Sequence, residues 1–229
     1  MGDELKKAGA KEALKLIKSG RVVGLGGGST IAYLVGMIAA ENLDIKVVTP
    51  SMKTRMLCLS RGLEVMETFR VEYIDIAFDG CDEVDEDLNA LKSGGGIHTL
   101  EKLIGAMADE YILLVDESKV SEALTFSHPV VLEIIKEAMG HVARKVEELG
   151  GIVTMRQSGA KDGFTITEHG NLLMDVQFAK VDDIAGLEAK LKNINGVIAT
   201  SLFVTEVTGA IVTSEQGVRV LSRKTEKGE

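Results

Sequence analysis

Three segments of this 229-residue sequence combine glycine with side chains that can bind an anion or move a proton. The first runs from Gly24 to Thr30 and reads Gly-Leu-Gly-Gly-Gly-Ser-Thr. Glycine lets the backbone approach a ligand closely, and a helix that starts after such a loop offers free N–H groups and the positive end of its dipole. Ser29 and Thr30 add two hydroxyl groups. The segment is therefore predicted to bind a phosphate.

Other interpretations of this first segment fit less well or remain open. A dinucleotide site needs G-x-G-x-x-G, but Ser29 stands where the third glycine belongs, and Thr49-Pro50-Ser51 replaces the acidic residue expected after the second strand. The sequence contains no G-K-[ST], which excludes a P-loop. A tight strand-to-helix turn that binds nothing remains open, because glycine alone is a weak signal.

The second segment, Asp79-Gly80-Cys81-Asp82-Glu83, follows an apolar run that ends at Phe78. Ligands of open α/β sheets bind beyond the carboxyl ends of the strands, so Asp79 and Asp82 are predicted to hydrogen-bond the hydroxyl groups of a sugar. A binding site for a divalent cation is a weaker interpretation of this segment, because it offers neither a histidine nor a second cluster of carboxylates. The remaining acids are predicted to form a solvated loop; they are Glu83, Asp85, Glu86 and Asp87.

The third segment runs from Lys92 to Lys102 and joins a lysine to three glycines. Such a run offers a cation beside exposed N–H groups. Thr99 is predicted to cap a helix, which puts Glu101 in its first turn, facing the loop. A carboxylate there can act as a general base, while the alternative is a glutamate that only stabilises the helix dipole. Lys119 follows a further apolar run and is expected either beside the ligand or in solvent.

The elements that position these segments alternate between apolar strands and helices. Strands are predicted at 21–25, 45–49, 72–78 and 111–115, and helices at 29–40, 51–60 and 99–110. Strands that are apolar throughout indicate a parallel sheet covered on both faces. The fold class is therefore α/β, with a Rossmann-like parallel sheet.

A second unit is predicted after about residue 126. Strands at 128–134, 152–157, 172–177 and 197–203, with helices at 138–149 and 182–191, give the βαββαβ order of a ferredoxin-like domain. Residues 210–221 are strand-like and are expected to return to the first sheet. The predicted domains are thus 1–125 plus 204–229, Rossmann-like and catalytic, and 126–203, ferredoxin-like and used for oligomerisation.

Composition and charge exclude several classes of protein. The chain has 26 basic and 35 acidic side chains, and a net charge of -9 argues against binding nucleic acid or an anionic membrane through positive potential. Two cysteines form neither a disulfide framework nor a metal cluster. No apolar run approaches a membrane span, and the charged N-terminus lacks the apolar centre of a signal peptide. We expect a soluble cytoplasmic protein.

The motifs and their spacing resemble the type A ribose-5-phosphate isomerases, metal-independent enzymes of the pentose phosphate pathway. The similarity runs from about residue 4 to residue 221. It rests on four motifs: G-x-G-x-G-S-T at 24–30, D-G-x-D-E at 79–83, K-x-G-G with Thr-x-Glu-Lys at 92–102, and V-D-x-S-K at 115–119. The resemblance implies a Rossmann-like domain joined to a ferredoxin-like domain, in dimers or tetramers.

The resemblance also implies a reaction, the isomerisation of ribose 5-phosphate to ribulose 5-phosphate. Glu101 would move a proton between C1 and C2 of the open-chain sugar through an enediol, assisted by Asp79, Asp82 and Lys92. No cofactor, metal, nucleic acid or membrane is implied, only a phosphosugar. The residues implied to line the substrate are Gly27, Gly28, Ser29, Thr30, Asp79, Gly80, Cys81, Asp82, Lys92, Ser93, Gly94, Gly95 and Lys119.

Other functions remain as alternatives. A phosphosugar-binding sensor would keep the glycine loops without needing Glu101, but would normally carry a DNA-binding helix pair, which this sequence lacks. An amino-sugar phosphate isomerase or a CoA transferase could share the fold. The former would need a catalytic histidine, and the one candidate, His98, is interpreted as a space-filling or surface residue. At three positions, those of Gly27, Cys81 and Ser93, the family most often has a different residue. We expect these differences to affect the affinity for the substrate more than the reaction.

Overall fold

The computed structural model describes residues 2–159 and 161–223. Within these ranges the α-helices are α1 (Asp3–Leu14), α2 (Ser29–Ala40), α3 (Met52–Ser60), α4 (His98–Met107), α5 (Met139–Glu148) and α6 (Ile184–Lys192). Short 3-10 helices lie at Thr68–Arg70, Glu117–Lys119 and Lys136–Ala138. The strands are β1 (Val22–Leu25), β2 (Lys46–Val48), β3 (Glu64–Val65), β4 (Ile74–Asp79), β5 (Glu83–Asp85), β6 (Ala90–Leu91), β7 (Ala108–Asp116), β8 (Val120–Ser121), β9 (Val130–Ile134), β10 (Ile152–Met155), β11 (Gln157–Ser158), β12 (Lys161–Phe164), β13 (Leu172–Gln177), β14 (Val197–Thr200), β15 (Leu202–Phe203), β16 (Gly209–Ser214) and β17 (Gly217–Ser222).

The large sheet has the strand order β3-β2-β1-β4-β7-β16-β17. All neighbouring pairs are parallel except β16 and β17, which form an antiparallel hairpin at the edge. Helices α2 and α3 connect the first three strands, and α4 precedes β7. This arrangement confirms the predicted Rossmann-like α/β fold.

The order of this sheet reverses between β1 and β4. From β1 the chain moves outward through β2 to β3, then returns to the other side of β1 to form β4. Ligands of doubly wound sheets bind at such a reversal, beyond the carboxyl ends of the two strands. Leu25 ends β1 and Asp79 ends β4, so the first two predicted segments begin at this point.

An apolar core covers each face of the large sheet. On one face, side chains of α1 and α2 such as Ala10 and Leu34 pack against Phe78. On the other face, Ile104 of α4 and Phe203 of β15 pack against Tyr111. The strands are buried from both sides, which explains why their sequences are apolar throughout.

The second sheet has the order β10-β13-β9-β14, with antiparallel neighbours. Its helices α5 and α6 contribute Val142, Val146, Leu187 and Leu191 to a third core on one face. The element order β9-α5-β10-β13-α6-β14 is the predicted ferredoxin-like arrangement. Its other face lies against α4, so this sheet reaches the helix that carries Glu101.

The division into residues 1–125 plus 204–229 and residues 126–203 stays a prediction. Residue 1, residue 160 and residues 224–229 of these ranges lie outside the described residues. Among the helices of the described ranges, none combines the length and apolar character needed to span a bilayer.

Four predicted elements differ from the observed ones. The strand predicted at 152–157 is divided, since residues 152–155 form β10 in the second sheet and Gln157 belongs to β11, which pairs with β12. The helix predicted at 99–110 ends at Met107, because residues 108–110 join β7 and pair with β4. The strand predicted at 197–203 is two strands in different sheets, since β14 pairs with β9 and β15 with β6. Residues 210–221 form a hairpin. The small sheet β15-β6-β5-β8 was not predicted, because its strands have only two or three residues each.

Candidate active site

The first glycine loop leaves β1 and packs directly against the end of β4. A Cβ atom on Gly26 would lie 1.9 Å from Oδ1 of Asp79, so the chain requires glycine at this position. Gly28 has a φ of +94°, which also favours glycine, and α2 begins at the next residue. The hydroxyl of Thr54 donates to the carbonyl of Gly26 at 2.7 Å and fixes the loop from the side of α3.

Asp79 is buried at the centre of the site and accepts hydrogen bonds on both oxygens. Oδ1 accepts from the N–H of Gly27 at 3.2 Å and the N–H of Gly80 at 2.8 Å. Oδ2 accepts from the hydroxyl of Tyr111 at 3.0 Å and lies 3.0 Å from Nζ of Lys92. The carboxylate therefore joins the first two loops to the lysine of the third.

Lys92 lies between two carboxyl groups. Its Nζ is 3.0 Å from Asp79 and 3.4 Å from Oε1 of Glu101, and it also donates to the carbonyl of Gly80. Burial lowers the pKa of Lys92, but the carboxylates of Asp79 and Glu101 outweigh burial and hold the pKa above its ordinary value. The buried ammonium group is therefore a fixed positive charge.

Glu101 lies in the first turn of α4 and is 6 % exposed. Burial and the neighbouring carboxylate of Asp79 raise the pKa of Glu101 above its ordinary value, although Lys92 acts in the opposite direction. A carboxyl group of raised pKa holds a proton at a higher pH and is a stronger base once ionised. Glu101 is thus suited to taking a proton from a weakly acidic C–H group.

Asp82 holds the third loop. Its Oδ2 accepts hydrogen bonds from the N–H groups of Ser93 at 2.7 Å and Gly94 at 3.0 Å. The hydroxyl of Ser93 donates to the carbonyl of Pro129 at 2.5 Å. These contacts fix the loop between Lys92 and the helix that carries the glutamate.

A cavity of about 320 Å³ opens over these groups, large enough for a pentose. Its lining residues are Gly27, Gly28, Asp79, Gly80, Cys81, Asp82, Lys92, Gly94, Gly95, Ile97 and Glu101. Cys81 is buried in this wall, and burial raises the pKa of its thiol to about 12. Ser93 does not line the cavity.

A second cavity of about 280 Å³ adjoins the first and shares Gly27, Gly28 and Gly80 with it. It contains the predicted residues Ser29, Thr30 and Lys119. The ammonium group of Lys119 donates to the carbonyl of Cys81 at 2.6 Å. Lys6 of α1 also lines this cavity.

The sequence gives no reason to choose Lys6 as a site residue. It is one of several lysines in a charged amphipathic helix, and only the packing of α1 beside α2 places it at the glycine loop. No local signal distinguishes it from Lys7 or Lys11.

Two of the acids predicted to be solvated are in fact buried. Glu83 accepts hydrogen bonds from the backbone or hydroxyls of Thr125, Ser127 and His128. Burial opposes its ionisation, but these donors lower the pKa of Glu83 to about 2. Asp85 accepts from the backbone and side chain of Asn89. The prediction failed because these partners lie beyond the acidic run; Glu86 and Asp87 are exposed as expected.

The prediction that Thr99 caps α4 was also wrong. The helix begins one residue earlier, at His98, and the hydroxyl of Thr99 donates to the carboxylate of Glu133 in the second sheet. His98 is fully buried, and burial lowers its pKa to about 4, so its ring is neutral near pH 7. The histidine fills space between α4 and the second sheet, and it does not line either cavity.

The second sheet contacts the segment from Lys92 to Lys102 at several further points. Arg156 donates to the carbonyl of Ser93 at 2.8 Å and pairs with Asp175. The ammonium of Lys102 lies 2.5 Å from the carboxylate of Glu188, and both side chains are buried. The position of the candidate base therefore depends on residues beside the second sheet as well as in it, since Arg156 follows β10 and Glu188 lies in α6.

Comparison with known proteins identifies the family. Residues 46–217 match the family described as ribose 5-phosphate isomerase A (phosphoriboisomerase A). Ribose-5-phosphate isomerase A of Thermococcus kodakarensis is 38% identical, covering 96% of this chain and 99% of that protein. That of Methanocaldococcus jannaschii is also 38% identical, with the same coverage.

Solved structures agree with this result. The ribose 5-phosphate isomerase A structure from Methanocaldococcus jannaschii has a TM-score of 0.91, 37% identity, and covers 97% of this chain and 100% of its own. A D-ribose-5-phosphate isomerase in complex with phospho-erythronic acid has a TM-score of 0.92, 35% identity and the same coverage. The fold, the site at the strand reversal and these similarities agree: the chain belongs to the ribose 5-phosphate isomerase A family.

Proposed function

We propose that this protein interconverts D-ribose 5-phosphate and D-ribulose 5-phosphate through an enediol. One observation carries the proposal: a buried glutamate of raised pKa and a buried lysine face each other in a cavity of pentose size. Aldose–ketose isomerisation needs a base at the carbon and a positive group at the oxygen. The membership of the chain in the family supports the same reaction.

The second cavity is proposed to hold the phosphate of the substrate. The backbone at the start of α2 offers free N–H groups, and Ser29 and Thr30 offer hydroxyls. Lys119 and Lys6 line the same cavity and supply positive charge. Since the two cavities share the glycines of the first loop, a phosphate in the second places the sugar carbons in the first.

Glu101 is proposed to act on the two carbons at the far end of the sugar from the phosphate. Ionised, it removes the proton from C2 of the open-chain aldose, and the electron pair moves to form the enediolate with negative charge on O1. Lys92 and the N–H groups of the glycine loops stabilise this charge. A proton then passes from the C2 hydroxyl to O1, Glu101 returns to C1 the proton that it removed from C2, and C2 becomes the ketone carbon.

The two aspartates are proposed to support these groups. Asp79 stabilises the ammonium form of Lys92 and repels a second negative charge on Glu101. Asp82 fixes the backbone of the third loop and lines the sugar cavity. Cys81, Gly94 and Gly95 complete the walls of this cavity.

Turnover in deuterium oxide tests the reaction. Ribose 5-phosphate is mixed with the protein and a chelator, and proton NMR follows the appearance of ribulose 5-phosphate and the loss of the C2–H signal. We expect turnover with deuterium incorporation, because the carboxyl of Glu101 exchanges its proton with solvent. Binding without turnover would support the sensor alternative, and activity abolished by the chelator would contradict a metal-independent reaction.

We also propose that the protein works in the cytoplasm as a homodimer or homotetramer. Several large apolar side chains are exposed in the single chain, among them Phe69 at 85% and Ile152 at 71%, and contact with a second copy would remove them from water. Analytical ultracentrifugation measures the mass directly. A single species at the mass of one chain, 24.5 kDa, would contradict this proposal.

A further inference from the structure

Tyr111 is a buried tyrosine that lines neither the sugar cavity nor the second cavity. It lies in β7 opposite Ala77, two residues before Asp79 on the neighbouring strand. Its ring stacks on Phe203 with 6.1 Å between ring centroids. Its N–H donates to the hydroxyl of Thr208 at 2.9 Å, and its carbonyl accepts from the N–H of Thr208 at 3.0 Å. Backbone and ring are therefore held independently of the hydroxyl.

The hydroxyl of Tyr111 donates to Oδ2 of Asp79 at 3.0 Å. This is the oxygen that lies 3.0 Å from Nζ of Lys92. Burial, followed by the carboxylates of Asp79 and Glu101, raises the pKa of Tyr111 well above its ordinary value. The phenol therefore stays protonated and can serve Asp79 only as a hydrogen-bond donor.

We propose that Tyr111 is a positioning residue: its hydroxyl orients the carboxylate of Asp79, which in turn holds Lys92 beside Glu101. The inference rests on the proposed isomerase function. With the phenol in place, Oδ2 of Asp79 has two donors that approach from different elements, one from β7 and one from the third loop. Without it, Oδ1 is still held by the N–H groups of Gly27 and Gly80, but Oδ2 keeps Lys92 as its one donor among these groups, so the ammonium is held less firmly beside Glu101.

The same hydrogen bond affects the pKa of Glu101 through the position of Lys92. The groups that face Asp79 are Lys92 from the third loop, Glu101 from α4, Tyr111 from β7 and Cys81 from its own turn. Burial and the carboxylate of Asp79 raise the pKa of Glu101, and the ammonium of Lys92 lowers it. When the phenol is removed and Lys92 is held less firmly, this lowering weakens, so Glu101 loses its proton at a higher pH.

Tyr111→Phe tests the proposal, because it removes the hydroxyl and keeps the ring that stacks on Phe203. Tyr73→Phe is the matched control; Tyr73 is 58% exposed and precedes β4 at the end opposite Asp79. We expect kcat of Tyr111→Phe to fall about tenfold to a hundredfold, the range for one hydrogen bond to a charged group. The acidic limb of its kcat/KM profile should move to higher pH. Affinity for phospho-erythronic acid should stay near that of the wild type.

Each outcome has a distinct meaning. If the wild type does not isomerise ribose 5-phosphate, the proposed function fails. If the wild type is active and Tyr111→Phe matches Tyr73→Phe in kcat and pH profile, the positioning role of Tyr111 is wrong. A fall in kcat with an unmoved acidic limb and a lowered melting temperature would also overturn it, since that pattern indicates lost packing alone.

Discussion

Replacing Glu101 by glutamine should separate the chemistry of the site from its packing. Glutamine keeps the length of the side chain but cannot accept a proton, so the proposed base is lost. A positioned general base contributes about 10²–10⁴-fold, which corresponds to about 3–5 kcal/mol of activation free energy. We expect kcat to fall by that factor while the affinity for ribose 5-phosphate stays largely unchanged.

The same variant should become more stable relative to the wild type as pH rises. Glu101 has a raised pKa in the folded protein, so the folded state binds more protons than the unfolded state between the ordinary glutamate pKa and the raised one. The free energy of unfolding of the wild type therefore falls as pH rises through that window, and Glu101→Gln lacks this loss. The melting temperature of the variant relative to the wild type should increase from pH 5 to pH 8.

Two measurements check this reasoning, a substrate assay near pH 8 and thermal unfolding at several pH values. Glu101→Gln with wild-type turnover would mean that the base is elsewhere. A stability difference that does not change with pH would mean that Glu101 has an ordinary glutamate pKa in the folded protein and that burial does not raise it. Glu4→Gln, an exposed change in α1, serves as the control for the loss of one carboxylate.

Three further predictions follow from single contacts. Gly26→Ala would place a Cβ 1.9 Å from Oδ1 of Asp79, so activity measured by substrate assay should fall strongly. Lys102→Met leaves the buried carboxylate of Glu188 without its positively charged partner. We expect the free energy of unfolding to fall by about 3–5 kcal/mol and the urea midpoint to fall with it. The thiol of Cys81, with its pKa raised to about 12 by burial, should react with iodoacetamide at pH 7 far more slowly than a free cysteine.

The first two predictions have control variants, and the third has an outcome that would contradict it. Gly36→Ala adds a Cβ where no atom lies within 4 Å and should keep full activity; equal activity of the two alanine variants would contradict the packing at Gly26. Lys102→Met with Glu188→Leu should recover much of the lost stability, and no recovery would mean that the ion pair is not the cause. Rapid labelling of Cys81 in the folded protein would show that the thiol is accessible.

The sequence predicts which residues of the candidate site lie together where those residues directly follow a buried strand. Glycines after β1 and Asp79 after β4 must meet, because parallel strands bring their carboxyl ends to one edge. Lys92 and Glu101 are linked by a glycine loop and a helical turn, so their proximity is a local property. For these groups, the order of strands and helices along the chain and the types of residue were sufficient to predict that they lie together.

Other parts of the site could not be predicted, because they depend on contacts between distant residues. Tyr111 reads as one more apolar position in a strand, and its hydrogen bond to Asp79 exists only once β4 and β7 are paired. Glu83 belongs to an acidic run, yet its partners lie 42 to 45 residues further along the chain. Lys6 needs the packing of α1 on the sheet. Composition does not encode such contacts.

The contacts between the second sheet and the segment from Lys92 to Lys102 have a consequence for the evolution of the protein. Glu133 of β9 and Glu188 of the adjoining α6 contact the helix that carries Glu101, the proposed base, without lining the sugar cavity. A displacement of about 1 Å at a reacting group can cost on the order of 10²-fold in rate. With Glu101 as the proposed base, selection for turnover extends to these remote carboxylates, and the second sheet cannot change independently of the large sheet.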